Sequence, residues 1–355
     1  MLKFSIIIPF YQVPEKYFKQ CLDSIMAQTY LNYELILISD GADENSLSVA
    51  RKYKAIDDRI KIIEQKNQGV STARNHGIDV SAGDWIMFID ADDWIEPDTL
   101  EKFSNHIFQT EADYIFGGFY KEFSNKQVKI YSQRYPDNKI FEGKAGRLEL
   151  QKMTLASPMY GDSGMRATMY RSVWGGVFSS SLLKDSNVRF DPSIKQDEDF
   201  LFRVYVAEHS KLTVYVNEMF YHYRSYGSSA SVHFREDSIN NFKETTKILK
   251  EYLIDNQIMD ALIDDYNYRI IEISNSLALN YFFHADNMRS MQEKEANAKQ
   301  FFNSSFFKDA FSYDLYRKLP LKRKVQVMLL KNNLFRVYRL LYGGYNALAQ
   351  RNTYD

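Results

Sequence analysis

The chain has 355 residues, 45% hydrophobic and 26% charged, with a formal net charge of −1. That length holds a full catalytic α/β domain with a smaller appendage, and the balanced charge argues against a binder of nucleic acid that relies on broad basic surface. One cysteine, Cys21, excludes an intrachain disulfide, no N-terminal signal peptide is legible, and no apolar run approaches the ~18 residues of a membrane span, so a reducing cytoplasm is the expected setting.

In chain order, Phe4-Ser5-Ile6-Ile7-Ile8-Pro9-Phe10-Tyr11 reads as a buried strand. It stops at or near Pro9, which cannot donate to a ladder, and leaves Tyr11 in a loop. A helical pattern follows through Tyr17, Cys21, Leu22 and Ile25. A second strand, from Glu34, closes on Ser39-Asp40-Gly41, and Leu47 to Tyr53 is helical again. Arg59 to Glu64 is a short strand and Ala73 to Val80 a helix. Trp85 to Ile89 is a fully apolar strand ending on Asp90-Ala91-Asp92-Asp93.

This alternation predicts a parallel sheet covered on both faces, with ligands bound beyond the carboxyl ends of the strands. Tyr11, Asp40 and Asp90 to Asp93 all fall at that edge. Three carboxylates within four positions repel one another unless a cation collects them, and Mg²⁺ or Mn²⁺ prefers such oxygen ligands. A plain acidic loop is the alternative.

Further along, Asp113 to Tyr120 reads as a strand and Lys126 to Tyr131 as its hairpin partner. Gln196-Asp197-Glu198-Asp199-Phe200 is a second acidic cluster leading into apolar residues. A helix start enriched in acids accounts for part of it. Beyond residue 235, Asn241 to Leu253, Met259 to Phe283 and Met288 to Phe302 carry helical spacing. Residues 317–351 then hold nine cations and no acid, interleaved with apolar residues such as Leu321, Met328, Leu334, Leu340 and Tyr345. That mixture suits an anionic membrane surface, and a helical pair docked on the protein is the alternative.

The ordered set Pro9-Phe10-Tyr11, Ser39-Asp40-Gly41, Asn67-Gln68-Gly69, Ala73-Arg74-Asn75, Gly83-Asp84-Trp85 and Asp90-Ala91-Asp92-Asp93 resembles the nucleotide-sugar half of family 2 glycosyltransferases. The resemblance covers residues 1–105 and extends more loosely to about residue 230. It implies an α/β GT-A fold, Rossmann-like, with a mainly parallel central sheet over residues 1–234. Residues 1–105 would form the nucleotide-sugar half, 106–234 the acceptor half, and 235–355 a C-terminal helical region.

It further implies an inverting, metal-dependent transfer of a sugar from a UDP-sugar to a hydroxyl of a glycan or lipid-linked saccharide, as in surface polysaccharide and capsule building. By motif position, Pro9, Tyr11, Asp40, Asn67, Gly69, Arg74, Asp90 and Ala91 would bind the donor nucleotide. Asp40 and Arg74 would meet the uracil region, with a helix N-cap and a helix-surface ion pair as their structural alternatives. Asp92 would bind Mn²⁺ or Mg²⁺, with His222 as an additional ligand. Asp199 would be the catalytic base, with Asp197 and Glu198 as fallbacks. Trp174 and Glu198 would lie on the acceptor side, and His222 and Arg224 near the diphosphate, where Gly227 to Ser231 resembles a closing loop. Gly176 departs from the pattern, since relatives often carry a polar residue there.

A haloacid-dehalogenase-type phosphoryl-transfer enzyme also places Asp-x-Asp after a buried strand, but on the first strand of its fold. A nucleic-acid binder using the basic tail is opposed by the acid excess elsewhere, 36 cations against 46 acids. The expected partners are therefore a UDP-sugar, a saccharide acceptor, an anionic membrane surface and a second copy of the chain, without nucleic acid. The expected location is the cytoplasm, peripheral on the inner face of the cell membrane.

Overall fold

The structure is a computed structural model that describes residues 1–225, 234–311 and 313–343. The chain divides into two compact units: Met1–Glu122 with Gln127–Ser157 and Gly161–Arg224, and Ser225–Asp355 with two short segments, Phe123–Lys126 and Pro158–Tyr160.

In the first unit, β1 (Phe4–Phe10), β2 (Tyr33–Asp40), β3 (Ile60–Gln65) and β4 (Trp85–Phe88) form a parallel array in the order β3-β2-β1-β4. Their connections are α1 (Glu15–Met26), α2 (Glu44–Lys54) and α3 (Val70–Val80). β1 and β2 are buried almost end to end, which is why they read as unbroken apolar runs rather than alternating ones. β1 continues one residue past Pro9. Ile7 accepts a bond from Ile89 N at 3.1 Å, and Pro9, facing the same side two residues later, lies beyond the end of β4. Its missing N–H therefore costs no ladder bond.

The remainder of this unit comprises β5 (Trp94–Ile95), α4 (Thr99–Thr110), β6 (Tyr114–Glu122), β7 (Gln127–Ile130), β8 (Lys139–Glu142), α5 (Gly143–Ala156), β9 (Gly176–Ser179), α6 (Ser180–Asp185), α7 (Glu198–His209) and β10 (Leu212–Arg224). The sheet runs on from β4 as β9-β6-β10-β5. β9 enters antiparallel between β4 and β6, whereas β6 and β10 pair in parallel. The α/β class with helices following it is thus observed, with the parallel pairing held in β1 to β4 and in the β6–β10 pair. β9 carries the departure at Gly176, and packing explains it: a Cβ there would lie 2.7 Å from the Ile115 carbonyl oxygen. A side chain has no room at this point of the sheet.

The second unit is helical. It contains α8 (Ser238–Asp255), α9 (Met259–Leu277), α10 (Met291–Asn303), then Ser305–Lys308, Tyr313–Lys318, Leu321–Lys331 and a helix over 335–343. The long apolar pattern from Met259 passes into a wider turn at Ala278–Phe282. Phe282, Phe301, Phe302, Phe307 and Phe335 are buried together in its core. The expected closing loop, Gly227 to Ser231, and the tail residues Tyr345 and Arg351 lie outside the described residues.

Candidate active site

The carboxyl ends of β1, β2 and β4 bring Tyr11, Asp40 and the Asp90–Asp93 loop to one edge, as the sheet order requires. Pro9 is half-buried at the end of β1, and Tyr11 is 45% exposed just beyond it. Asp40 is buried, and its two oxygens receive three donors: Gln65 Nε2 at 2.8 Å, Gln68 N at 2.8 Å and Gly69 N at 2.9 Å. It does not cap α2, because Asp43 does so through Ser46 N. Instead it anchors the Asn67-Gln68-Gly69 loop to the end of β2 and places a negative charge at the start of α3. Gly69 permits this with φ 92°, a left-handed value that penalises any side chain. Asn67 and Gly69 line a cleft of about 460 Å³ with Ile194, Lys195 and Glu198 opposite.

The acidic loop is held from β10. Asp93 is 2% exposed and accepts from Tyr221 Oη at 2.8 Å and Arg224 N at 2.7 Å, while Tyr221 Oη also accepts from Asp90 N. Burial first, then repulsion from Asp92 and Asp90, pushes the Asp93 carboxyl well above the ordinary carboxylate range. Arg224 was expected near the diphosphate. Its guanidinium instead donates to the Asp92 carbonyl at 2.6 Å and to Gln20 at 2.8 Å, and lies over the rings of Tyr17 and Trp94. It shapes the loop from behind.

Ala91 is buried, and Asp92 at the tip of the loop reaches solvent while protein packed around it, and then Asp90, raises its carboxyl by partial desolvation and repulsion. Among the described residues no three His, Cys, Asp or Glu side chains converge as a ready metal cage. The donor set nonetheless fits a hard cation held by one or two carboxylates plus phosphate oxygens, the usual arrangement for Mg²⁺ at nucleotide sites. Asp92, with the half-buried Asp90 beside it, would supply the protein ligands.

His222, expected as a further metal ligand, is held on both sides of its ring. Nδ1 lies 2.7 Å from Glu122 Oε1 and Nε2 lies 2.9 Å from Glu96 Oε1, so both ring nitrogens are engaged. The ring is stacked between Trp94 and Tyr120 at 4.8 and 4.7 Å. It pins β5, directly after the acidic loop, to β6 and β10. Trp174 is likewise enclosed, stacked on Tyr221 at 4.6 Å and on Tyr223 at 5.4 Å. It supports the residues that hold the loop.

Asp199 lies in the first turn of α7. Asp197, before it, takes a left-handed φ of 68° as the N-cap, and Glu198 opens the helix. An aromatic cluster sets the position of Asp199. Phe190 and Phe202 stack at 4.0 Å, and each meets Phe88 of β4 edge-on. Asn75 clamps Phe190 by two bonds, Nδ2 to the Phe190 carbonyl and Phe190 N to Oδ1. The strand that leads into Asp90 and the helix that carries Asp199 are thereby packed together.

Arg74 spans the gap between them. One face of its buried guanidinium donates to Asp199 Oδ1 at 2.5 Å and another to Asp90 Oδ1 at 3.0 Å, with Glu198 at 3.9 Å. It therefore does not reach out to a base pocket in this arrangement. Burial pushes the Asp199 carboxyl up, to about 7, against the downward pull of Arg74, while Glu198 and Asp90 add to the rise. The Val173 backbone also pulls the carboxyl down. A carboxyl poised near neutrality suits proton transfer.

Sequence reasoning missed Asn75, Tyr221, Gln65 and Asp93 as organisers of the site. Asn75 stood inside the Ala73-Arg74-Asn75 motif, whereas Tyr221 and Gln65 gave no separable signal.

Comparison with known proteins places this geometry in context. The profile described as "Glycosyl transferase family 2" matches residues 5–174. Glycosyltransferase GlyA of Streptococcus pneumoniae serotype 4 is 32% identical over 226 residues, covering 62% of this chain and 30% of that protein. The uncharacterized glycosyltransferase EpsJ of Bacillus subtilis is 30% identical over 220 residues, covering 62% of this chain and 60% of EpsJ. The matched region thus spans less than two thirds of either relative. The crystal structure of Staphylococcus aureus TarS residues 1–349 has the same fold, with a TM-score of 0.66 and 17% identity over 98% of this chain and 92% of that one. TarS 1–349 has also been solved in complex with UDP and with UDP-GlcNAc.

Proposed function

We propose, from the match of residues 5–174 to the profile of glycosyl transferase family 2, that the chain transfers a sugar from a UDP-sugar to a hydroxyl of a glycan or lipid-linked saccharide, with inversion at the anomeric carbon. The observation that carries this reading is the placement of Asp199 across from the Asp90–Asp93 loop, with Arg74 between them. One carboxylate stands opposite the edge where a nucleotide diphosphate would sit, at the distance of one guanidinium. An inverting displacement needs that division: a base on the acceptor side and charge compensation on the leaving-group side.

In the proposed mechanism the donor lies along the carboxyl edge of the sheet. Pro9 and Tyr11 form the floor for base and ribose. Asp40 meets the uracil N–H through lone pairs left beside the three donors it already accepts. Asn67 and Gly69 line the adjoining cleft, and Asp90 meets the ribose next to Ala91. A divalent cation, Mn²⁺ or Mg²⁺, held by Asp92, would neutralise charge on the departing diphosphate. Asp199 takes the proton of the acceptor hydroxyl as its oxygen attacks the anomeric carbon. Arg74 keeps that carboxylate ionised and aimed, and Glu198 borders the cleft beside it. The complexes of TarS with UDP and UDP-GlcNAc support a nucleotide-sugar donor of this class.

We place the enzyme peripherally at the inner face of the cell membrane, where lipid-linked acceptors of surface polysaccharide are presented. No described helix is long and apolar enough to cross a membrane. The test is a thermal-shift panel with Mn²⁺ and UDP, NAD or DNA, followed by UDP release from a mixture of nucleotide sugars. Stabilisation and turnover specific to a uridine nucleotide are expected. Stabilisation by NAD or DNA and not by UDP would overturn the assignment.

A further inference from the structure

The basic tail divides, in the structure, into a buried face and a free one. Along Leu321–Lys331, Val327, Leu329 and Leu330 are buried, and in the 335–343 helix Phe335 and Tyr338 are buried, with Tyr338 Oη bonded to the Asn275 carbonyl. The opposite faces expose Leu321 at 78%, Met328 at 45%, Leu334 at 45%, Val337 at 42%, Leu340 at 83% and Leu341 at 54%. The steps 321 to 328 and 334, 337, 341 each keep one side of a helix. Six large apolar side chains are thus left in solvent within 21 positions. Residues 317–343 also hold eight cations and no acid. Asp264 pairs with Lys318 and Glu295 with Arg336, while Asp314 lies just before the segment. Positive charge remains in excess around the apolar stripe, with Lys322 and Lys331 exposed beside it.

We propose that this face, Leu321, Met328, Leu334, Val337, Leu340 and Leu341 ringed by the cations, docks the chain flat onto an anionic lipid bilayer. The leucines enter the boundary between headgroups and acyl chains, and the lysines and arginines meet headgroup phosphates. Charge complementarity selects this occupant. A second copy of the chain brought face to face would set an excess of cations against the same excess, whereas an anionic surface complements it. The inference deepens the membrane placement proposed above, and its test needs neither donor nor acceptor.

The experiment is sedimentation of the full chain with phosphatidylcholine vesicles, with and without phosphatidylglycerol, across a salt series. Binding is expected only with the anionic lipid and should fall as ionic strength rises. Leu340→Ser with Leu341→Ser should weaken it by roughly tenfold or more, since each leucine loses its apolar burial. Lys322→Gln with Lys331→Gln should weaken it by about fivefold per cation and flatten the salt dependence. Circular dichroism melts confirm that each variant is folded. A chain ending at residue 343 should bind as the full chain does, and loss of binding there would move the contact to the final twelve residues and overturn the proposal. Equal binding of variants and wild type, or a dimer in light scattering that the leucine pair dissolves while vesicles go unbound, would equally overturn it. UDP-induced stabilisation in the same samples separates failure of this face from failure of the enzymatic reading.

Discussion

Arg74→Met isolates the guanidinium that holds two halves of the site together. In the wild type it lies 2.5 Å from Asp199, 3.0 Å from Asp90 and 3.9 Å from Glu198. Methionine keeps most of the length and apolar stem but leaves three carboxylates facing one another. A hydrogen bond between charged groups contributes about 1.5–3 kcal/mol, and ~1.36 kcal/mol equals one pH unit, so the Asp199 titration should rise by about 1–2 units. The acidic limb of the kcat/KM profile, set by a carboxyl near about 7, should therefore shift alkaline by that amount, with activity recovered at higher pH. The linkage has a definite sign. Asp199 binds its proton more tightly folded, about 7, than its ordinary 3.8, so stability falls as pH rises through that window, and in the variant the fall extends further up. UDP release measured across neutral and alkaline pH, with thermal melts at the same points, reads both effects. Arg74→Lys, which keeps the charge, should return part of the shift. An acidic limb that stays in place while stability drops would refute the reasoning, because Arg74 would then be structural and Asp199 not its titrating partner.

Asp92→Ala should abolish Mn²⁺-dependent UDP affinity while the melting temperature holds or rises, since a mutually repelling carboxylate is removed; isothermal titration with and without metal checks it. Asp199→Asn should lower turnover by roughly 10²–10⁴-fold with donor affinity near wild type, and an active Asp199→Asn beside an inactive Glu198→Gln would shift the base by one position. Tyr221→Phe leaves buried Asp93 Oδ2 and Asp90 N without their shared partner, at a cost of about 1–3 kcal/mol. Its KM for the donor should rise more than its kcat falls, and a purely global loss of stability with unchanged KM would contradict the role of Tyr221 in shaping the loop.

What the sequence determined by itself was the alternation of buried strands and helices and the chemistry at their ends. β1, β2 and β4 are buried on both faces, so their apolar runs are uninterrupted, and the polar residues that follow them can only be edge residues. The positions of Pro9, Asp40, Asp90 and Asp92 at that edge were legible for that reason, whereas the roles given to them and to Asp199 came from the motif resemblance. β9 carried no strand signal, because glycine is a poor strand former in isolation, whereas close approach to Ile115 makes Gly176 the residue a strand needs there.

Only the tertiary structure decided which polar groups face ligand and which face one another. Arg74, His222 and Arg224 all carry chemistry that could meet a phosphate or a metal. Their partners lie 16, 126 and 204 positions away for Arg74 to Asp90, His222 to Glu96 and Arg224 to Gln20. A side chain's role follows from the neighbour that satisfies it, and a neighbour brought from a distant strand leaves no periodic mark in the sequence. The same holds for the basic tail. Its cations and leucines were visible from the start, but only packing of Phe335 and Tyr338 against the helical core determines which leucines are left facing solvent.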